Sequence, residues 1–341
     1  MNNKKSIILA LPEDAGLSNL IAKNFEYHGF DVIYYRRQPY KYKRPTEKIA
    51  NFFRKNIFGD KGYKNRQQDK EALEKLNYDI MERKMKIDYA LFIRPDTFSI
   101  EFIKKIKGYV NKTIGYQWDG LDRFPDVFDR IEVFNDFYVF DPKDILNHPE
   151  YDLKLTTNFY FDIDQNPILI KNEAKKTIYF VGSHLPQRVS AINKFIESAD
   201  KLNLQINFLI RLKQRKIRDK SLYNSECINF INENIDYSEN LNNVKDSDIL
   251  IDFVNNVHSG LSFRIFESIF YQKKLITNNT EVSKYDLYHE DNIYIWDNEK
   301  IDIDSLRDFL NKPYYILPSK ILNKYSFKTW YSSVLGIDEN Q

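Results

Sequence analysis

The chain has 341 residues, 42% of them hydrophobic, with 25 Phe, 24 Tyr, 10 Gly and 11 Pro. That length exceeds one ordinary core and suits two, and the scarcity of Gly and Pro excludes a collagen-like, linker-rich or disordered chain. The formal net charge is only +2 and the single cysteine, Cys227, has no partner for an internal disulfide, which fits a reducing compartment.

The N-terminus, MNNKKSIILALPEDAG, carries an apolar run that acids end at once. It is too short for the core of a secretory signal and has no cleavage pattern. No stretch approaches the roughly 18 apolar residues of a membrane-crossing helix, so a cytoplasmic location is expected. SIILALP (6–12) reads as a buried parallel strand. LSNLIAKNFEYHG (17–29) has helical spacing and Gly29 as its C-cap signal. DVIYYRR (31–37) and KIDYALFIRP (86–95) are predicted strands, SIEFIKKIKGY (99–109) a helix, and KTIGYQW (112–118), DFYVFD (136–141) and KLTTNFYF (154–161) further strands. Alternating strands and helices imply a parallel sheet covered on both faces.

Residues 39–85 interrupt this rhythm. EKIANFFRKNIFG places Ile49, Phe52, Phe53, Ile57 and Phe58 near one helical face, with Lys48, Arg54 and Lys55 off it, and DKEALEKLNYDIMERKM reads as a more polar helix. From Arg36 to Lys70 there are twelve Lys or Arg against three acids, so this segment carries +9 and the remainder −7. Such a patch suits an anionic partner. One reading is an anionic membrane surface met through 36–70; another is an excursion whose apolar face packs on the first domain. The patch has no nucleic-acid-binding motif, so no nucleic-acid partner is expected.

DIDQNPILIKNEAKK (162–176) is polar and aperiodic and reads as a linker. The rhythm then restarts: TIYFVGS (177–183) is a strand, QRVSAINKFIESADKLN (187–203) a helix and LQINFLIRL (204–212) a strand. DILIDFV (248–254), KLITN (274–278) and NIYIWD (292–297) are strands, with a helix from Ser262 after the first. The tail KTWYSSVLG is a last helix. The expected organisation is a first domain over 1–165, a second over 166–320, and a C-terminal helix in 321–341 returning to the first. The expected class is α/β, two Rossmann-like doubly wound domains facing a central cleft.

In such sheets ligands sit beyond the carboxyl ends of the strands. The loop NNVHSGLS (255–262) lies at that edge, ahead of a helix whose free N–H groups and dipole favour an anion. Gly260 permits close approach of a phosphate, and His258, Ser259, Leu261 and Ser262 lie in the same loop. Arg264 and Glu267, three apart on one helix face, both lean toward that end. Arg264 suits a phosphate and Glu267 suits sugar hydroxyls; alternatively the two are an exposed ion pair worth about 0.2–0.5 kcal/mol. Phe263, Phe266 and Phe270 are expected to face the core.

Gly182, Ser183 and His184 end the strand at 177–183, and Arg211 ends another, so these four join the candidate ligand site, with plain turn or solvated roles as the alternative. Glu13 and Asp14 follow the first strand, and Asp119 follows the strand at 112–118 beside Trp118. These three carboxylates are the candidates for a general base, with helix capping as the competing role for Asp14 and Asp119. Two Asp-x-Asp triplets, Asp162/Asp164 and Asp302/Asp304, have the oxygen chemistry of a divalent-metal site. The first falls in the linker and the second reads as a helix cap, so no metal is expected.

SGLSFRIFESIFYQKKLITNN (259–279) closely resembles the donor-side motif of bacterial GT-B glycosyltransferases of lipopolysaccharide and capsule biosynthesis, in which Gly-Leu-(Thr/Ser)-x-Arg-x-x-Glu precedes Lys-Lys-Leu-Ile-Thr and Asn. IGYQWDGLDRFPDVFDRIEVFNDFYVFDPKD (114–144) resembles a second motif of that group. The likeness runs from about residue 88 to 297, while 36–85 matches nothing in the group. It implies two Rossmann-like domains, no cofactor, and a nucleotide-sugar donor as substrate held mainly by the second domain. By this resemblance Ser259–Ser262 and Arg264 meet the donor phosphates, and Glu267 meets the ribose or sugar; Ser262 stands where Thr is frequent. The implied activity is sugar transfer to a growing cell-surface glycan, the acceptor being a glycan or lipid-linked glycan at the inner face of the membrane. A nucleotide-sugar epimerase of the same fold and a non-catalytic adaptor are the alternatives.

Overall fold

A computed structural model describes residues 4–37, 42, 44–57, 59, 62–83, 87–163, 175–224, 226–254, 259–296 and 301–337. It divides into two compact units, Met1–Thr156 with Ser332–Gln341, and Thr157–Tyr331.

The first unit holds β1 (Ser6–Pro12), α1 (Leu17–Tyr27), β2 (Asp31–Arg37), α2 (Pro45–Ile57), α3 (Tyr63–Arg83), β3 (Ile87–Ile93), α4 (Ile100–Lys107), β4 (Val110–Gln117), α5 (Phe128–Ile131), β5 (Asp136–Val139), α6 (Pro142–Asn147) and β6 (Leu153–Leu155). The six strands are parallel in the order β2-β1-β3-β4-β5-β6. β1 sits inside the sheet, with Ile7 to Leu11 essentially inaccessible. That explains its unbroken apolar run, since a central parallel strand is covered on both faces. α1 ends as its sequence predicts: Gly29 takes φ +87°, and the Phe30 N–H reaches back to the Phe25 carbonyl at 3.1 Å, closing a left-handed cap. Ser99 caps α4 by accepting from the Phe102 N–H at 3.2 Å.

The two helices of the insertion behave differently. α3 contributes Ala72, Leu76 and Ile80 to the core beneath β2 and α4. A buried ion pair fixes it: Arg37 Nη1 meets Asp69 Oδ1 at 2.7 Å, and Asp69 Oδ2 accepts from the Ser99 N–H at 2.8 Å. α2 buries no residue. The second sequence reading of this insertion, that the apolar face of EKIANFFRKNIFG packs on the first domain, fails for α2; α3, read as a polar helix, is the one that packs there.

The second unit holds β7 (Thr177–Ser183), α7 (Pro186–Lys201), β8 (Gln205–Arg211), β9 (Ile228–Ile231), α8 (Tyr237–Asp246), β10 (Ile249–Asp252), α9 (Phe263–Phe270), β11 (Lys274–Thr277), β12 (Ile293–Ile295), α10 (Ile303–Asn311), α11 (Ser319–Lys324) and α12 (Phe327–Leu335), whose last residues cluster with the first unit. There the Leu335 carbonyl accepts from Lys112 Nζ at 3.1 Å and the Ser333 carbonyl from the Tyr138 hydroxyl at 3.3 Å. The second sheet is also parallel, in the order β12-β11-β10-β7-β8-β9. Among the described residues, no helix is long and apolar enough to cross a membrane.

The predicted strand at 154–161 is a correction. Only Leu153–Leu155 pairs in the first sheet. Beyond it the chain turns aromatic: Phe159 packs edge-on to Phe263 at 5.3 Å, and Tyr160 stacks on Phe270 at 4.3 Å. The alternation that resembled a strand instead places rings along the outer side of α9. For the same reason, of Phe263, Phe266 and Phe270 only Phe266 enters the deep core. The segment read as a linker begins in the second unit, where Asp162 accepts from the Lys328 N–H at 3.0 Å; Asp164 lies outside the described residues.

Candidate functional site

In each sheet the strand order reverses once. In the second it does so between β7 and β10, the neighbours that start the two windings, and ligands of open α/β sheets bind outside the carboxyl ends at such a point. The residues there are Ser183 at the end of β7 and His184 after it, Asp252 at the end of β10, and the loop 259–262 leading into α9.

Asp252, not singled out in the sequence, organises this edge. It is 3% exposed. Its Oδ1 accepts from Arg264 Nη1 at 2.7 Å and from the Ser262 hydroxyl at 2.9 Å. Arg264 Nη2 also donates to the Val181 carbonyl at 2.7 Å, and its guanidinium lies 4.9 Å from the centre of the Phe180 ring. Arg264 is thus held at the point between β7 and β10, with 15% of its side chain still open. Ser262 occupies the N-cap of α9 in extended conformation but makes no side-chain cap bond, because its hydroxyl is turned to Asp252. The Ser262 side chain therefore does not cap α9, and the Ile265 N–H turns back to the Ser262 carbonyl at 3.1 Å.

Ser259 and Leu261 are buried, and the Leu261 carbonyl accepts from Asn158 Nδ2 at 2.9 Å. Gly260 is buried between them. His258 lies outside the described residues. Glu267 is 5% exposed. Its Oε1 accepts from the Tyr237 hydroxyl at 2.5 Å and from Asn240 Nδ2 at 3.3 Å. Asn240 accepts in turn from the Tyr179 hydroxyl at 3.1 Å. Burial pushes the Glu267 carboxyl up, opposed by the Tyr237 bond, the nearby Arg264 charge and the Asn240 bond. Burial, then the Glu267 charge, raise the Tyr237 phenol well above its ordinary value. Glu267 and Arg264 therefore form no exposed ion pair: each is engaged with its own partners inside the unit.

The remaining candidates are spread along the same edge. Gly182 is a packing position, since a Cβ there would come 2.8 Å from the Phe180 ring. Ser183 is exposed. His184 is buried, with Nδ1 2.8 Å from the Tyr223 hydroxyl and Nε2 3.2 Å from Asp219. Arg211 Nη1 donates to Asn234 Oδ1 at 2.8 Å, while its Nε is buried with no hydrogen-bond partner among the described residues. The Asp302 carboxylate caps α10, accepting from the Asp304 and Ser305 N–H groups at 3.0 and 3.1 Å.

In the first sheet the order reverses between β1 and β3. Glu13 and Asp14 follow β1, and Arg94 follows β3. Glu13 pairs with Arg36 Nε at 2.7 Å, and the Asp14 carbonyl accepts from the Leu17 N–H at 2.8 Å as α1 begins. Arg94, missed in the sequence, takes a left-handed backbone at φ 58°, an uncommon conformation for a non-glycine residue. It holds Asp96 through two bonds of 2.7 and 2.8 Å and Asp119 Oδ2 at 2.8 Å, over the Phe124 ring. Asp119 Oδ1 takes Arg123 Nη1 at 2.8 Å. Asp119 is therefore no helix cap; both its oxygens are committed to guanidinium groups. Trp118 beside it is half-buried.

No family model and no curated protein matches this sequence. Solved structures match along nearly the whole chain. An alpha-glucosyltransferase in complex with UDP and a 13-mer DNA containing an HMU base is 10% identical, with a TM-score of 0.58 over 98% of this chain and 100% of that one. The structure described as trehalose-6-phosphate from E. coli bound with UDP-2-fluoro glucose is 10% identical, with a TM-score of 0.56 over 98% and 99%. A lipopolysaccharide outer core galactosyltransferase in apo form is 11% identical, with a TM-score of 0.51 over 97% and 99%. The fold is GT-B. At this identity the likeness concerns architecture alone, and GT-B here means two parallel six-stranded units, each with one reversal point and one cluster of charged side chains beside it.

Proposed function

We propose that this GT-B chain is a glycosyltransferase that takes a sugar from a nucleotide-sugar donor and passes it to a growing cell-surface glycan. The observation that carries this reading is the reversal point of the second sheet. There a motif resembling the donor motif of such enzymes places the uncapped start of α9, Arg264 and the buried Glu267 on one short segment. We assign the donor to the second unit. Its phosphates are read by the α9 N–H groups, by Ser259–Ser262 and by Arg264, its sugar or ribose by Glu267, and Ser183, His184 and Arg211 complete the edge. The neighbours' titles support the donor class: two of them carry UDP or a UDP-sugar.

The acceptor is assigned to the first unit, with Glu13, Asp14 and Asp119 as the carboxylates available to take its proton. Asp119 would have to release Arg94 or Arg123 to do so. The reaction is read as independent of metal and of any resident cofactor, and the acceptor as a glycan or lipid-linked glycan on the cytoplasmic side of a membrane. One neighbour is complexed with DNA; in this chain the basic insertion is read as facing lipid rather than nucleic acid.

The test is incubation with a panel of UDP-, GDP-, dTDP- and CMP-sugars, with and without lipid-linked glycan extracts, followed by mass spectrometry. Transfer that needs an acceptor and is lost in Arg264→Ala supports the reading. An isomerised sugar without acceptor points to an epimerase. Donor binding with no turnover on any acceptor points to an adaptor.

A further inference from the structure

α2 is amphipathic in the opposite sense to a helix of a globular surface. Its polar side faces the protein: Asn51 Nδ2 donates to the Tyr42 hydroxyl at 2.6 Å, and the Arg54 guanidinium lies 4.8 Å from the centre of the Tyr63 ring at the start of α3. Its apolar side faces out, with Ile49 57%, Phe52 63%, Phe53 49% and Ile57 65% exposed. Such contiguous exposed apolar side chains mark an interaction surface. On a helical projection these four lie in one arc, which Asn56 and Thr46 share; Arg54 lies at one margin beside Glu47, and Lys48 and Lys55 lie at the other. The only acid in α2 is Glu47, and the flanking Arg44, Lys64 and Arg66 extend the positive charge.

We propose that α2 is a membrane-docking helix: Ile49, Phe52, Phe53 and Ile57 enter the acyl boundary of an anionic bilayer while Lys48, Arg54 and Lys55 remain at headgroup level. Apolar residues central and cations at both margins is the arrangement of an interfacial helix. A nucleic acid would require the cations at the centre, on the phosphates. A second copy meeting α2 face to face would bring like-charged margins together. A contact confined to a 13-residue helix also falls far short of the roughly 1,200 Å² buried in a stable interface. α3, by contrast, is tied into the core by Ala72, Leu76, Ile80 and the Arg37–Asp69 pair, so α2 is carried on a fixed base.

The proposal deepens the reading of the insertion as facing lipid and does not rest on the donor site; its test contains no sugar, so either can fail alone. The full chain is floated with vesicles of phosphatidylcholine alone and of phosphatidylcholine with about 30% phosphatidylglycerol, at low and high salt, and its size is measured without lipid. Binding is expected only to the anionic vesicles, weakening with salt. Phe52→Ser/Phe53→Ser is expected to lose at least about tenfold in partitioning, and Lys48→Gln or Lys55→Gln about fivefold each. Phe52 is 63% and Phe53 49% exposed and α2 buries no residue, so the core is expected to be unchanged, and Phe53→Trp reports insertion by a blue-shifted emission on vesicle addition. Equal partitioning of the double Ser variant would overturn the proposal, as would no binding of the wild type to anionic vesicles. So would an oligomer that the same substitutions dissociate, which would assign the face to a second copy. Competition by soluble glycerol phosphate at millimolar concentration would show a headgroup site rather than an inserted face, and would also overturn it.

Discussion

Removing Asp252 tests how the proposed donor edge is held. Its carboxylate is almost wholly buried, takes Arg264 at 2.7 Å and Ser262 at 2.9 Å, and lies 3.4 Å from the Thr277 hydroxyl. Breaking a buried pair by deleting one partner costs about 3–5 kcal/mol, because the surviving charge is left without compensation. Arg264 keeps the Val181 carbonyl and some contact with solvent, so Asp252→Ala is expected near the low end, about 3 kcal/mol. Arg264→Ala leaves Asp252 with two hydroxyl neighbours and is expected to cost about 2–3 kcal/mol on the same scale. The double variant removes both charges and should cost less than the sum by about 2 kcal/mol. Of the three Trp, Trp118 is in the first unit, whereas Trp296 and Trp330 are buried in the second. In a Trp118→Phe background, tryptophan fluorescence therefore follows urea unfolding of the second unit. With a slope near 2 kcal/mol per molar for a unit of this size, 3 kcal/mol shifts the midpoint by about 1.5 M. Costs that add within about 0.5 kcal/mol would refute the reasoning and show Arg264 to be screened by solvent.

Further outcomes are expected at other sites. Burial raises the Asp144 carboxyl to about 7 against the bond it accepts from the Leu121 N–H. The folded chain then holds a proton there that the unfolded chain releases near pH 4, so this group's contribution to stability falls as pH rises from about 4 to 7. Asp144→Asn keeps the acceptor and should gain on the wild type over that window by roughly 2–4 kcal/mol in urea melts; a gap that does not change with pH contradicts it. Asp69→Ala strands Arg37 and frees the Ser99 N–H, and should destabilise the first unit by about 3–5 kcal/mol in urea melts followed by Trp118, which lies in that unit. If ionised Glu267 is required for turnover, Tyr237→Phe removes a bond that lowers its pKa. The acid limb of the pH–rate profile should then move to higher pH, whereas an unmoved limb would separate Glu267 from the reaction.

The architecture was legible because its signals are local. Apolar runs such as SIILALP mark central parallel strands, and Gly29 and Asp302 mark helix ends. Arg264 and Glu267 were visible because three-residue spacing puts both on one face of a helix that follows a buried strand. Their partners were not, because strand order is not a local property. Asp252 matters through β10 lying beside β7, separated by some seventy residues of sequence, and Tyr237 and Asn240 sit on α8, a stretch to which the sequence reading assigns no element. Arg94 was missed for a similar reason, since its charge is spent on Asp119, a residue of the neighbouring strand's loop. β9, an edge strand in CINFINEN, is only four residues long, too short an apolar run to stand out. The run at 154–161 misled because aromatic residues favour strands and ring clusters alike.

The most direct measurement is calorimetric titration of the purified chain with UDP, GDP, dTDP, CMP and ADP, repeated on Arg264→Ala and on Asp119→Asn. A donor site in the second unit predicts that one nucleotide binds, that Arg264→Ala weakens it at least about tenfold, and that Asp119→Asn leaves it within about twofold. Equal binding by Arg264→Ala and the wild type, or binding lost in Asp119→Asn instead, would contradict it.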